Sequence, residues 1–93
     1  MCHDRAIATR RQRHLLSMPR YFFDTFDGTV IHDDEGRVLP DLTSARLEAR
    51  HLLRDLLLDA APGCDESRFR ADIRDETGQV VVTATLVLAY ASV

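Results

Sequence analysis

The stretch from Leu42 to Ala61 constrains the fold more than any other part of the chain, because it is the one long segment with a helical period. Placing successive residues about 100° apart gathers Leu42, Ala45, Ala49, Leu52, Leu53, Leu56, Leu57 and Ala60 on one face. A stripe of that width must be buried, and the rest of the sequence supplies only strands to bury it against. Pro40 disfavours helical geometry at Leu39, Asp41 suits the N-cap, and Pro62-Gly63 ends the helix.

On the N-terminal side, residues 20–26 are rich in aromatics and read as a strand. Asp27-Gly28 then makes a hairpin turn, with a return through Thr29-Val30-Ile31-His32. Residues 33–37 form a polar loop, and Val38-Leu39 leads into Pro40. Beyond the helix, Phe69, Ala71 and Ile73 alternate with Arg68, Arg70, Asp72 and Arg74, the signature of a half-buried strand. Asp75-Glu76-Thr77-Gly78 gives a second hairpin turn, and Gln79 to about Tyr90 forms the longest strand, with Val80, Val82, Ala84, Leu86 and Leu88 of one parity. The expected architecture is a ββαββ two-layer α+β sandwich, a four-stranded antiparallel sheet covered on one face by one helix.

Composition sets the limits around that fold. A chain of 93 residues holds one small core, which excludes a two-domain enzyme, and 45% hydrophobic residues are too many for a wholly disordered chain. Two cysteines, Cys2 and Cys64, are too few for a disulfide framework and fit a reducing, cytoplasmic setting. No signal-peptide pattern occurs, and the longest apolar run, 80–91, falls well short of the roughly 20 residues that span a bilayer, so no membrane association is expected. Residues 1–17 read as a disordered basic tail, with Arg5, Arg10, Arg11 and Arg13 against Asp4, and residues 18–93 as the single domain. Removing that +3 from the total of −3 leaves the domain at −6. Met18 is an alternative start, with the upstream segment an extension outside the fold.

The segments Met18-Pro19-Arg20-Tyr21-Phe22-Phe23-Asp24, Asp27-Gly28, Asp34-Glu35-Gly36, Leu39-Pro40-Asp41-Leu42 and Asp75-Glu76-Thr77-Gly78 together carry a resemblance. They resemble a family of small proteins of unknown function, common in alphaproteobacteria, whose members begin with a Met-Pro-Arg-Tyr-Phe-Phe-Asp-like segment. The resemblance spans residues 18 to about 90 and implies no activity, cofactor or catalytic residue.

No chemistry-bearing motif stands out from the residues themselves. Met1-Cys2-His3 has the amine-to-imidazole spacing that binds Cu(II) or Ni(II), but loss of Met1 destroys the register, so no metal is assigned. Asp33-Asp34-Glu35 before Gly36 lacks the ligand pattern of a calcium loop and reads as a solvated turn. Nucleophile elbows, phosphate-binding glycine loops and zinc-type spacings are absent, and neither enzymatic activity nor a cofactor is expected.

Two surfaces remain for function. Leu47, His51 and Leu58 lie opposite the main helical stripe, where an antiparallel partner helix would fit. The sheet face away from the helix is expected to carry Phe22, Val81, Thr83, Thr85 and Val87 beside arginines. A fold of about 75 residues buries only about 60% of its chain surface, and these apolar side chains point to a protein-interaction module, self-associating through one of the two faces. The alternative is a small nucleic-acid-binding regulator using Arg68, Arg70 and Arg74 on the sheet with Arg10, Arg11 and Arg13 on the tail; the acidic balance of the domain disfavours it.

Overall fold

The computed structural model describes residues 18–61, 63 and 66–93. In chain order these form β1 (Arg20–Phe26), β2 (Val30–Ile31), β3 (Arg37–Val38), α1 (Leu42–Asp59), β4 (Glu66–Arg74) and β5 (Val80–Ala89). The fold is α+β, with one helix and one antiparallel sheet ordered β2-β1-β4-β5, in which β3 also pairs with β1. The expected count of four strands is therefore corrected to five. Residues 1–17, with the expected tail and its Arg10, Arg11 and Arg13, lie outside the described residues, as does Cys64.

The fifth strand arises because a single edge of β1 is shared. Thr25 and Phe26 pair with Ile31 and Val30, whereas Arg20 and Tyr21 pair with Val38 and Arg37. Between those two short ladders the Phe23 N–H donates to Asp33 Oδ2 at 3.0 Å, and Leu39 N–H reaches Pro19 O at 3.1 Å beyond them. A side-chain carboxylate thus takes the place of a strand carbonyl and leaves that amide satisfied. Gly36 makes the arrangement feasible: its φ is +69°, and a Cβ there would stand 2.8 Å from Tyr21 O and 2.9 Å from the Phe22 ring.

The helix begins where Asp41 Oδ1 accepts the Ser44 N–H at 2.8 Å, an N-cap of the expected kind. It stops at Asp59, two residues earlier than the periodicity suggests, with Ala60 already extended and its N–H bonded to Leu57 O. Ala45, Ala49 and Leu53 are buried against Tyr21, Phe23, Phe69, Ala71 and Ile73 of β1 and β4. The alanines permit close approach of helix to sheet, and Leu52, Leu56, Leu57 and Ala60 pack around the rim of this core. Leu42, assigned to the stripe by its angle, is exposed because it sits at the first turn, at the end of the contact.

At the second hairpin, Asp75 Oδ1 accepts from Thr77 N and Gln79 N, and Gly78 takes the positive φ that closes the turn. The pairing of β4 with β5 runs from Glu66↔Ala89 to Ile73↔Val82 and then shifts to Arg74↔Val80. This irregularity takes Val80 out of the alternation its sequence parity predicts and leaves it exposed.

The core is small enough that one residue dominates it: Ile73 is the largest side chain with no exposed surface. Ile73→Ala is expected to cost about 2–5 kcal/mol in urea unfolding. Leu58→Ala, at a residue 73% exposed, should stay within about 0.5 kcal/mol.

Candidate functional site

The helix lies on one side of the sheet, so the opposite side collects the residues of the other parity. Phe22 lies opposite Arg74, Asp24 opposite Asp72 and Phe26 opposite Arg70 across β1 and β4. Across β4 and β5, Asp72 lies opposite Thr83, Arg70 opposite Thr85 and Arg68 opposite Val87. The structure therefore brings Phe22, Thr83, Thr85 and Val87 onto one surface with the three arginines, and Val81 adjoins them at the register shift. Val81 and Val87 are 40% and 44% exposed. Leu47, His51 and Leu58 sit apart from these, exposed on the outer side of α1.

Each of the three arginines that β4 places on this surface is already matched. Arg74 grips Asp24 with Nε–Oδ2 at 2.7 Å and Nη2–Oδ1 at 3.2 Å, and both side chains are only 17% exposed. Arg70 Nε lies 3.5 Å from Asp72 Oδ2, and Arg68 Nη2 lies 3.2 Å from Glu66 Oε2. Arg74 and Arg70 also stack over the rings of Phe22 and Phe26, with 5.1 and 5.3 Å from guanidinium carbon to ring centroid. The face expected to mix aromatic and β-branched residues with arginines does so, but its basic part is corrected to one on which acids and bases alternate, since Asp24, Asp72 and Glu66 stand beside the guanidinium groups. Sequence parity places Asp72 there, and Asp24 with Phe22, but gives no sign that Asp24 meets Arg74, which happens only because β1 neighbours β4.

The densest polar cluster surrounds that fork. Asp24 Oδ1 accepts the Asp33 N–H at 2.9 Å, and Asp33 in turn accepts from Phe23 through Oδ2 and from Glu35 and Gly36 through Oδ1. Arg74 Nη2 also donates to Asp33 O at 2.9 Å. His32 sits over the cluster with Nδ1 3.3 Å from Asp24 Oδ1 and Nε2 3.6 Å from Asp34 Oδ1. Burial pushes the Asp24 carboxyl up, but the Arg74 hydrogen bonds and the Asp33 N–H outweigh it and hold the group below its ordinary 3.8. The same opposition governs Asp33, where the backbone N–H groups of Phe23, Gly36 and Glu35 overcome burial. These carboxylates spend their lone pairs on the protein's own donors, so the cluster fastens loop 32–36 to the sheet. The turn read from Asp33-Asp34-Glu35 is correct as a turn, but Asp33 is an internal acceptor, a role signalled in the sequence by Gly36 three residues on.

A shallow cleft of about 520 Å³ opens beside the same loop, lined by Phe23, Thr25, Ile31, His32, Asp33, Asp34, Glu35, Arg37 and Leu52. Its Arg37 is paired with Glu48 of the helix and stacks toward the Phe23 ring. Among the described residues no helix is long and apolar enough to cross a membrane.

Residues 20–87 match the family described as Domain of unknown function (DUF6894), and the chain belongs to that family. No curated protein and no solved structure matches it.

Because Asp24 and Asp33 titrate below 3.8 when folded and near it when unfolded, the unfolded state takes up protons first. Their stabilisation is complete above about pH 5 and is lost as pH falls through the lower folded values. Chemical denaturation between pH 7 and pH 2 should show that decline, and Asp24→Asn should flatten it. Gly36→Ala should lower stability by about 1–3 kcal/mol at neutral pH through its forced φ and its contact with Tyr21 O.

Proposed function

We propose that this domain is a protein-interaction module that associates with a second copy of itself, with the contact centred on β5 and the uncovered side of the sheet. One observation carries the reading: the helix buries the central columns of β1 and β4, whereas β5 remains partly exposed on both of its sides. Val82, Ala84 and Leu86 only flank the core on the helix side, and Val81 and Val87 are exposed. Removing such apolar surface from water favours association at about 25 cal/mol per Å² before the costs of association are counted.

The pairing of Arg68, Arg70 and Arg74 with carboxylates counts against phosphate binding, because neutralised guanidinium groups release few counterions from a nucleic acid. The polar clusters are likewise engaged in holding the fold, which favours a binding role over an enzymatic one.

Sedimentation equilibrium of the full chain up to high micromolar concentration tests the reading. The mass should rise above the 10.5 kDa of one chain. It should do so no less at about 1 M than at 0.1 M salt, because the Debye length falls from about 10 to 3 Å without weakening an apolar contact. A monomer at every concentration overturns the proposal. Association that needs added RNA or DNA and fades with salt would replace it with the nucleic-acid reading.

A further inference from the structure

The two long margins of the sheet are built differently. The outer edge of β1 is covered by β2, Asp33 and β3 in succession, with Asp34 and Glu35 beside them. Among the described residues no strand pairs with the outer edge of β5. Natural edge strands are commonly blunted by brevity, charge, proline or a β-bulge; β5 carries only the register shift at its first residues, and beyond it the strand, ten residues long and reading VVVTATLVLA, contains no charged residue, proline or glycine.

Which amides face that margin follows from the pairing. The Phe23 N–H points away from β4, since it donates to Asp33. In an antiparallel ladder two directly opposed residues turn their amide groups either both toward each other or both away. Phe23 lies opposite Ile73, so Ile73 turns its groups toward β5, and Val82 opposite Ile73 turns its own toward β4. Asp75 N–H, two residues after Ile73, bonds across to Gln79 O in the same sense. Alternation then aims the N–H and C=O groups of Thr83, Thr85 and Val87 at the free margin.

We infer that the occupant of this margin is β5 of a second copy, added antiparallel across a two-fold axis near Thr85, so that two sheets join into one. The inference rests on the self-associating module proposed above and specifies its geometry. A second copy fits because the junction is isologous. Thr83 comes opposite the partner's Val87, and Ala84 opposite the partner's Leu86, which keeps the polar and apolar parities aligned and sets a small side chain against a large one on the helix side. A second copy also fits electrostatically. Residues 18–93 carry −6, and β5 contributes no charged side chain, so two copies meet along it without setting like charges of that strand against each other.

Two variants and one exchange measurement test this in reductant, so that Cys2 and Cys64 form no bridge between chains. Thr85→Pro removes an outward N–H while sparing the bonds to β4, and Phe26→Ser alters the open face two strands away from the margin. Sedimentation should show Thr85→Pro at the single-chain mass and Phe26→Ser still at twice that mass. The reverse pattern overturns edge pairing but leaves self-association through the open face standing, whereas a wild-type monomer removes both. Should Thr85→Pro not fold, hydrogen exchange on the wild-type chain decides. The Thr83, Thr85 and Val87 amides should exchange at least roughly tenfold more slowly under dimer-forming conditions than on dilution. Fast exchange within a dimer, or protection that persists in a monomer, overturns the inference, the latter because the chain would then cover its own margin.

Discussion

The bond from the Phe23 N–H to the Asp33 carboxylate is the constraint around which the sheet is organised. Without it, β1 would have two-residue ladders at its ends and an orphaned amide between them, a group that costs about 1–3 kcal/mol when it is buried without a partner. With it, loop 32–36 becomes part of the sheet margin. The Asp33 N–H returns the favour to Asp24, and Asp24 is the carboxylate on which Arg74 closes. One loop aspartate therefore ties the first strand, its flanking ladders and the end of β4 into a single polar assembly.

The opposite side of the molecule is held by shape more than by hydrogen bonds. Ala45 and Ala49 allow the helix to settle low over β4, where Ala71 offers an equally small side chain, and Leu53, Phe69 and Ile73 fill the space on either side. A single helix centred on the inner strands cannot also roof the outermost one. The apolar residues of β5 facing the helix remain half-buried for that geometric reason, and the polar-apolar alternation along β5 is correspondingly shallow.

The sequence made the long elements and the β1-β2 hairpin legible, and hid β3. The stripe from Ala45 to Leu57 and the alternation from Arg68 to Arg74 each repeat over several periods, so the helix, β4 and the hairpin to β5 could be read directly. Val38 could not be recognised as a strand residue, because two residues have no period, no hairpin turn marks them as Asp27-Gly28 marks β2, and β3 exists only through pairing with Tyr21 and Arg20. Parity placed Arg70 and Arg74 away from the helix correctly, yet their neutral environment was hidden. Asp24 lies 50 residues from Arg74 and becomes its partner only through the β1-β4 adjacency, which no local pattern encodes. Val80 shows the same limit at smaller scale, since one register shift moves it off the face that its parity assigns. The placement of Thr83, Thr85 and Val87 beside the arginines followed from alternation, whereas the direction of their amides required the register itself.

The interrupted margin along β1 bears on the stoichiometry of the proposed assembly. A sheet open at both borders can recruit strand after strand and lengthen into a fibril, each newcomer templating the next. In the self-association proposed above, the Asp33 loop and the brevity of β2 and β3 leave little to extend on one flank, so accretion along the hydrogen-bonding direction would end once the β5 margin is filled. In that proposed assembly, an aspartate that serves one amide inside the fold would also limit growth outside it.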